Sequence, residues 1–449
     1  MKRLQHPASS YATHSSLDLF SVLPTSVGEK SGREREIPTV HPLTSEGPFE
    51  FQLQSQYAVD LSRSYVYCKF RIFTEQGLPH PATKRVQQKD GTFADIEAER
   101  VAPAQGLAKA IFSHATVTVN GVTVEDVPLF HFKSFLEYEY TANQKQKEQL
   151  ERNLMYSTLD DGLEDDTNDG YIERAGWLKG GQVGEMQFRP ALALFQQEKV
   201  WPRSTDLRIR FDRNPDSMLL ECYDAAQGGM KFKLHIDDMR LLVREVDLEE
   251  QANESIERAL QAGNNILYNL RPVEMRSFHL AAGRQEFESV LTNTPRIPLR
   301  CLICFVPNKN FQGDLQTSLF RFVPGGVGNI SLMIGGAPVG YASSVPIDWA
   351  NNLYMRVYQA HIDALGMKND WSGVTFEQFG KFRALYCWEI SPNSEDDCMS
   401  LAEPGILSVK INFAAPLPEP LMMVAYLEST SVIQVTSTRN VIISTPLHA

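Results

Sequence analysis

Between His114 and Tyr140 the sequence HATVTVNGVTVEDVPLFHFKSFLEYEY changes period within one short span. Val117 and Val119 alternate with Thr116 and Thr118 up to Asn120-Gly121, and Val122 and Val124 carry the alternation out again. An Asn-Gly pair between two period-2 runs is the strongest short-range signal for a β-hairpin. Beyond it Phe132, Phe135, Leu136 and Tyr140 recur at helical spacing, which lays one aromatic stripe along a helix. The unit appears twice. After Gly328 the run NISLMIGGAPVGYAS alternates into Gly335-Gly336 and out, and Tyr354, Val357, Tyr358, His361, Ile362 and Leu365 repeat the helical stripe. The two turns lie about 215 residues apart, close to half of the 449-residue chain, and this predicts a duplicated domain.

The flanking segments support the duplication. Phe49 to Leu53 alternates strictly, and Tyr65 to Phe73 (YVYCKFRIF) is rich in aromatic and β-branched residues suited to a pleated, half-buried surface. A polar excursion from Glu75 to Pro103 separates these strands from the hairpin, and QKQKEQLERNLM continues the helical reading beyond it. Further strands are expected at Met186 to Phe195, Asp206 to Phe211 and Lys231 to Val246. Asp247 with Glu250 has the spacing of a capping box, Leu248, Ala252, Ile256 and Leu260 form a stripe, and Gly263 supplies a stop, so a short linker helix is expected there. In the second half Ser277 to Leu280 answers Phe49 to Leu53, and Leu299 to Val306 answers Tyr65 to Phe73. Phe382 to Ile390, Ile406 to Phe413 and Leu421 to Ile443 then answer the last three strands in order. The expected fold is all-β: two consecutive eight-stranded jelly rolls, a double jelly roll, with short helices in the inter-strand excursions. The expected division is an N-terminal arm at 1–45, a first roll at 46–247, a linker helix at 248–265 and a second roll at 266–449.

Composition adds little to this picture but excludes several classes. The formal charge of -12 is spread along the chain, and without a block of Lys and Arg there is no electrostatic footprint for nucleic acid or anionic lipid. The first residues hold no apolar signal-peptide core, and the longest apolar runs fall well short of the ~20 residues of a membrane span. A soluble chain made without a secretory signal is expected. Leu17, Leu19 and Phe20 form a small apolar knot in an otherwise polar, Ser- and Pro-containing arm and are the candidate interface residues.

Candidate chemistry is sparse. Cys301 and Cys304 have half the spacing of a zinc or redox site, but they lie in a strand, where residues three apart point to opposite faces. Asp165, Thr167, Asp169 and Gly170 match part of a calcium loop whose twelfth position, Gly176, lacks the bidentate glutamate, so a solvated acidic loop is expected. His235 and Asp237 share one face of a strand, as in part of a facial iron site, opposite apolar Phe232, Leu234 and Ile236. No Walker, zincin or nucleophile-elbow motif is present. The expectation is a non-enzymatic chain with no catalytic residue, cofactor or metal. A carbohydrate-binding or carbohydrate-active protein built on paired β-sandwiches, using Trp177, Trp201, Trp371 or Trp388 as sugar platforms, is the alternative.

Five stretches carry a family resemblance: Ser16 to Phe20, Phe112 to Gly121, Asp206 to Arg210, Arg356 to Gln359 and Thr438 to Val441. In these, nearly end to end, the chain resembles the double jelly-roll, hexon-like major capsid proteins of the adenovirus and Polinton lineage of double-stranded DNA viruses, and is most similar to the Polinton and adintovirus type. The resemblance implies a homotrimer forming a pseudo-hexagonal capsomer that tiles an icosahedral shell. It also implies contacts with neighbouring capsomers and with penton and minor capsid proteins, and no sequence-specific nucleic acid. Synthesis in the host cytoplasm or nucleus and residence in the virion follow from it. The long excursions and aromatic helices would form the tower and the lateral contacts, and the arm would reach under the shell.

Overall fold

A computed structural model describes residues 15–17, 19, 20, 22, 27–88, 92–223, 231–292, 296–339, 346–365, 373–391 and 403–444. In chain order the first half contains β1 (Glu29–Pro38), β2 (Phe49–Gln54), β3 (Ala58–Thr74), a hairpin of β4 (Thr83–Gln87) and β5 (Phe93–Glu97), and β6 (Ala102–Pro103). Then come α1 (Leu107–Ala110), β7 (Phe112–Val119), β8 (Val122–Pro128), α2 (Phe130–Thr141), α3 (Gln144–Leu154), α4 (Asp169–Trp177) and β9 (Gly184–Phe188). The half closes with α5 (Ala193–Gln196), β10 (Asp206–Arg213), α6 (Asp216–Leu219), β11 (Leu220–Glu221) and β12 (Phe232–Leu248), followed by α7 (Glu250–Gln261). The second half opens with β13 (Ile266–Leu270), β14 (Val273–Leu280), β15 (Glu286–Val290), β16 (Arg300–Pro307) and α8 (Asn308–Gln312). It continues with β17 (Val327–Ile334), β18 (Ala337–Val339), α9 (Met355–Ala364), α10 (Phe376–Lys381) and β19 (Tyr386–Glu389). Its last strands are β20 (Leu407–Phe413), β21 (Leu421–Glu428), β22 (Ser431–Val435) and β23 (Val441–Ser444).

Strand order establishes the fold. The first half forms sheets β1-β12-β3-β9 and β2-β10-β7-β8; the second forms β14-β21-β16-β19 and β15-β20-β17-β18. Counting the eight strands of each half from one, both follow 1-8-3-6 and 2-7-4-5, with antiparallel pairing between neighbours. That is two jelly rolls in one chain, a double jelly roll. The hairpins fall where the alternation places them: Asn120 and Gly121 have φ 48° and 82°, Gly335 and Gly336 have 56° and 84°. Two positive φ values in succession are what a two-residue hairpin turn needs to match strand twist, so Asn-Gly and Gly-Gly occupy these sites.

The structure corrects the sequence reading in several places. Strand β1 lies inside the stretch expected to be an arm, and it pairs with β12 from Glu29 to Pro38. Its sequence EKSGREREIP gives no alternation because every residue except Ile37 is exposed. The second-half counterpart of β2 is therefore β15, and Ser277 to Leu280, in β14, corresponds to β1. No capping box forms at Asp247, because β12 runs on to Leu248 with Asp247 opposite Ser31; Glu249 is the N-cap and makes no side-chain cap bond. The expected strand at Met186 to Phe195 ends at Phe188, ahead of Pro190, and 193–196 turns as α5. Beyond β21, β22 and β23 leave the roll and pair with β13 in a separate three-stranded sheet.

Candidate functional site

Among the described residues, a dense cluster of buried charged and aromatic side chains lies where the rolls meet. Helix α2 starts after Leu129, which takes a left-handed φ of 52°, and runs from the first roll onto the second. Phe132 stacks on Phe311 at 5.5 Å between ring centroids and meets Phe320 edge-on at 5.9 Å; Phe135 stacks on Phe320 at 3.8 Å and meets Phe322 at 5.8 Å. Phe132, Phe135, Leu136 and Tyr140, the stripe read from the sequence, are all buried. So are His131, Lys133, Ser134 and Glu139 on the remaining faces. The helix was expected in tower or lateral contacts; it is instead an internal strut, because Lys133, Glu137, Glu139 and Tyr140 find partners within the chain. Lys133 pairs with Glu137 at 2.9 Å and bonds the Ala191 carbonyl, and Tyr426 on β21 donates to Glu137 at 3.1 Å.

A second layer of this interface is ionic. Arg383 of the second roll pairs with Glu139 at 3.1 Å and Asp160 at 3.5 Å of the first. Lys147 reaches Glu139 at 3.2 Å, and Tyr156 donates to the same carboxylate at 2.9 Å. Arg174 pairs with Glu221 at 2.7 Å and donates to Gln105 and to the Pro103 carbonyl. All six ionic groups are buried, and three cations face three carboxylates. Neutrality matters here because an unpaired charge in such a place costs several kcal/mol. Burial pushes the Glu221 carboxyl up. Burial acts in the same sense on Asp160, yet the guanidinium groups of Arg174 and Arg383 hold that carboxyl below its ordinary value. Burial lowers the Lys147 ammonium, with Glu139 opposing it.

The acidic loop after Leu159 is therefore not simply solvated. Asp160 belongs to the buried network, and Glu164 accepts from Ser318 N at 2.9 Å while bonding Asn310 and Arg321 of the second roll. Gly162, at φ 76°, permits this crossing, since a Cβ there would overlap the Phe382 ring.

The other sequence candidates fall apart or together as follows. Leu17, Leu19 and Phe20 are 66 %, 75 % and 98 % exposed. His235 stacks on Phe73 at 4.6 Å and shares a hydrogen bond with Ser45 at 2.9 Å, while Asp237 is held bidentately by Arg71 at 2.7 and 2.8 Å, so the pair is engaged in the sheet. Cys301 and Cys304 are both buried, and burial alone drives both thiols up, which makes them inert. Trp201 stacks on Tyr268 at 4.1 Å and Trp388 is 1 % exposed, both in the core; Trp177 lies under the Arg152 guanidinium at 4.8 Å; Trp371 lies outside the described residues. Among the described residues no group of three or more His, Cys, Asp or Glu is placed to hold a metal ion. No described helix is long and apolar enough to cross a membrane.

Three of the five stretches that carry the family resemblance converge. The Asn120 side chain accepts from Asp206 N at 2.8 Å and donates to the Arg439 carbonyl at 2.6 Å, while Arg439 donates to Glu257 of α7 at 2.6 Å. One hairpin turn thus fastens the linker helix and the C-terminal sheet to the first roll. Sequence spacing could not show this, because the partners lie far apart in the chain.

No protein-family model matches the chain. It is 26 % identical over 427 residues to the Caenorhabditis elegans protein F54H12.2, described as uncharacterized, covering 89 % of this chain and 94 % of that protein. Among solved structures, a chain of the Sputnik virophage superposes with a TM-score of 0.63 at 13 % identity, covering 98 % of this chain and 94 % of that one. The mavirus major capsid protein gives 0.57 at 10 % identity, covering 100 % and 96 % of the two chains. The Faustovirus major capsid protein gives 0.56 at 8 % identity, covering 94 % and 92 %. In architecture the chain is similar, end to end, to double jelly-roll major capsid proteins of double-stranded DNA viruses and virophages.

Proposed function

We propose that this chain is a major capsid protein whose homotrimer forms a pseudo-hexagonal capsomer of an icosahedral shell. The observation that carries the reading is the pair of rolls with one strand order, clamped side by side by a buried interface. A rigid pair of near-equivalent rolls lets three polypeptides present six similar walls, and closed symmetry needs complementary surfaces rather than a cleft. The shell would be of the Polinton or adintovirus type, and the relative in a nematode, matched over 94 % of its length, is compatible with an animal-associated element. The exposed Leu17, Leu19 and Phe20 suit an arm that docks on a neighbouring capsomer, a penton or a minor capsid protein.

The test is direct. Purified full-length protein should sediment as a trimer of 50.6 kDa chains and show three-fold particles with a hexagonal base in negative stain. Removing residues 1–22 should leave the trimer intact and abolish sheet or shell formation. A full-length protein that stays monomeric at high concentration would overturn the reading.

A further inference from the structure

The two rolls are alike in strand order but unlike in what covers them. In the second roll β16 is buried at every position after Arg300, and β21 at every position except Met422, so sheet β14-β21-β16-β19 is covered on both faces. One face meets its own core. The other, where Leu302 lies between Cys387 and Tyr426, carries α2 of the first roll. The outer face of the matching sheet of the first roll is left partly exposed. From Ser64 to Phe73, β3 alternates between buried and half-buried positions, and the half-buried row places Tyr67 between Gln187 and Arg240, flanked by Tyr65, Lys69, Arg71 and Phe73. Beside it β1 is exposed on both faces, whereas its counterpart β14 is partly covered. The helices differ in the complementary sense. Helix α2 is buried at every position but Glu137, Tyr138 and Thr141, while its counterpart α9 buries Val357, His361 and Ala364 and leaves Met355, Arg356, Gln359 and Asp363 in the open.

We infer that these two open faces are the halves of one contact between neighbouring copies: α9 of one chain lies on the outer face of sheet β1-β12-β3-β9 of the next, as α2 lies on the second roll within a chain. The inference rests on the trimer reading and assigns its interface. The occupant is a second copy because the chain itself contains the same helix-on-sheet contact between equivalent elements. The contact is head-to-tail, so the α9 face of each copy is used once and the sheet face once, and three copies close a ring. Its chemistry suits folded partners meeting in water. Tyr65, Tyr67 and Phe73 provide aromatic area; Lys69 and Lys233 provide positive charge, Arg240 being held within the chain by Glu36 and Asp238; beside α9, Asp363 and Glu389 provide negative charge next to Arg356.

Two variants test this. Met355→Glu with Gln359→Glu spoils the helix face; Lys69→Glu with Gln187→Glu spoils the sheet face. All four positions lie at the surface or partly open, so each variant should fold, with a melting temperature close to that of the parent. Each alone should sediment as a monomer. An equal mixture should give a dimer, because the intact sheet face of one can accept the intact helix of the other but the ring cannot close. On the unmodified protein, a zero-length carbodiimide should join Asp363 or Glu389 of one copy to Lys69 or Lys233 of another. A trimer from either variant, no dimer from the mixture, or crosslinks in the parent trimer that avoid these faces would overturn the assignment and leave the trimer standing. A monomeric parent protein would instead remove the trimer itself.

Discussion

Acid should loosen this molecule through two histidines that have no room for charge. His361 is fully buried, with its ring against Phe379 at 4.9 Å and Tyr140 of the first roll at 6.0 Å, and His131 is 3 % exposed within α2. Burial pulls the His361 imidazole down to about 4, opposed by the Tyr358 carbonyl and Asp363, and pulls His131 down to about 3. In the unfolded chain both titrate near 6.5. The native state is therefore at full strength above pH 6.5 and loses stability as pH falls, because the unfolded chain takes up protons that the native one refuses. From pH 6.5 to pH 5 each histidine costs about 2 kcal/mol, at about 1.4 kcal/mol per pH unit, and the His361 contribution levels off near its native value of about 4. Burial pushes Glu125 and Glu221 up, which acts in the opposite sense, so the clean measurement is a difference between two proteins that share them. His361→Gln keeps a donor for the Tyr358 carbonyl and cannot be charged. In urea titrations the variant should be the weaker protein at pH 7.5, and the gap should narrow by about 2 kcal/mol between pH 6.5 and pH 5. Parallel pH profiles for the two proteins across that window would refute the reasoning.

Two further predictions concern the inter-roll clamp and the turn that fastens the linker. Arg383→Met should cost about 3–5 kcal/mol in urea unfolding, because Glu139 and Asp160 lose their shared cation while remaining buried; a loss below about 1 kcal/mol would show that the network contributes little. Asn120→Gly keeps the turn, since glycine adopts φ 48° freely, but removes the bonds to Asp206 and Arg439. It should cost about 2 kcal/mol and speed amide exchange in β22 and β23, whereas a change confined to the 112–128 hairpin would contradict the bridging role.

Legibility followed the period of the side chains. The two hairpins and most strands could be read because one face of each strand is buried and the other is not, which prints the structure into the sequence as alternation. Strand β1 could not, since exposure on both faces leaves EKSGREREIP without a pattern. The aromatic stripe of α2 was legible, but the burial of its polar residues was not. Lys133, Glu137 and Glu139 look like a solvent face until Tyr426 and Arg383, hundreds of residues away, are brought against them. The same holds for the acidic loop: Asp160 and Glu164 read as solvated acids because Arg383 and Arg321, which pair with them, are remote in sequence. The local clues were Gly162, whose small size admits Phe382, and Gly170, which packs against the Asp160 backbone.

The divergence between the rolls has a physical reason. A contact within one chain forms as the chain folds and is never offered to water in the native monomer, so it can be apolar: β16 reads RCLICFVP, and the phenylalanines of α2 pack on Phe311, Phe320 and Phe322 of the second roll. A contact between chains must exist first as two wet surfaces, and a large apolar face would then pair with any similar face it met. Strand β3 accordingly alternates core residues with Tyr65, Tyr67, Lys69 and Arg71, and α9 keeps charged and amide side chains outward. The same helix-on-sheet geometry can thus be written twice in different alphabets, permanent where the chain is continuous and separable where it is not. On this view the residues that differ between the two rolls, more than those they share, specify how the copies assemble.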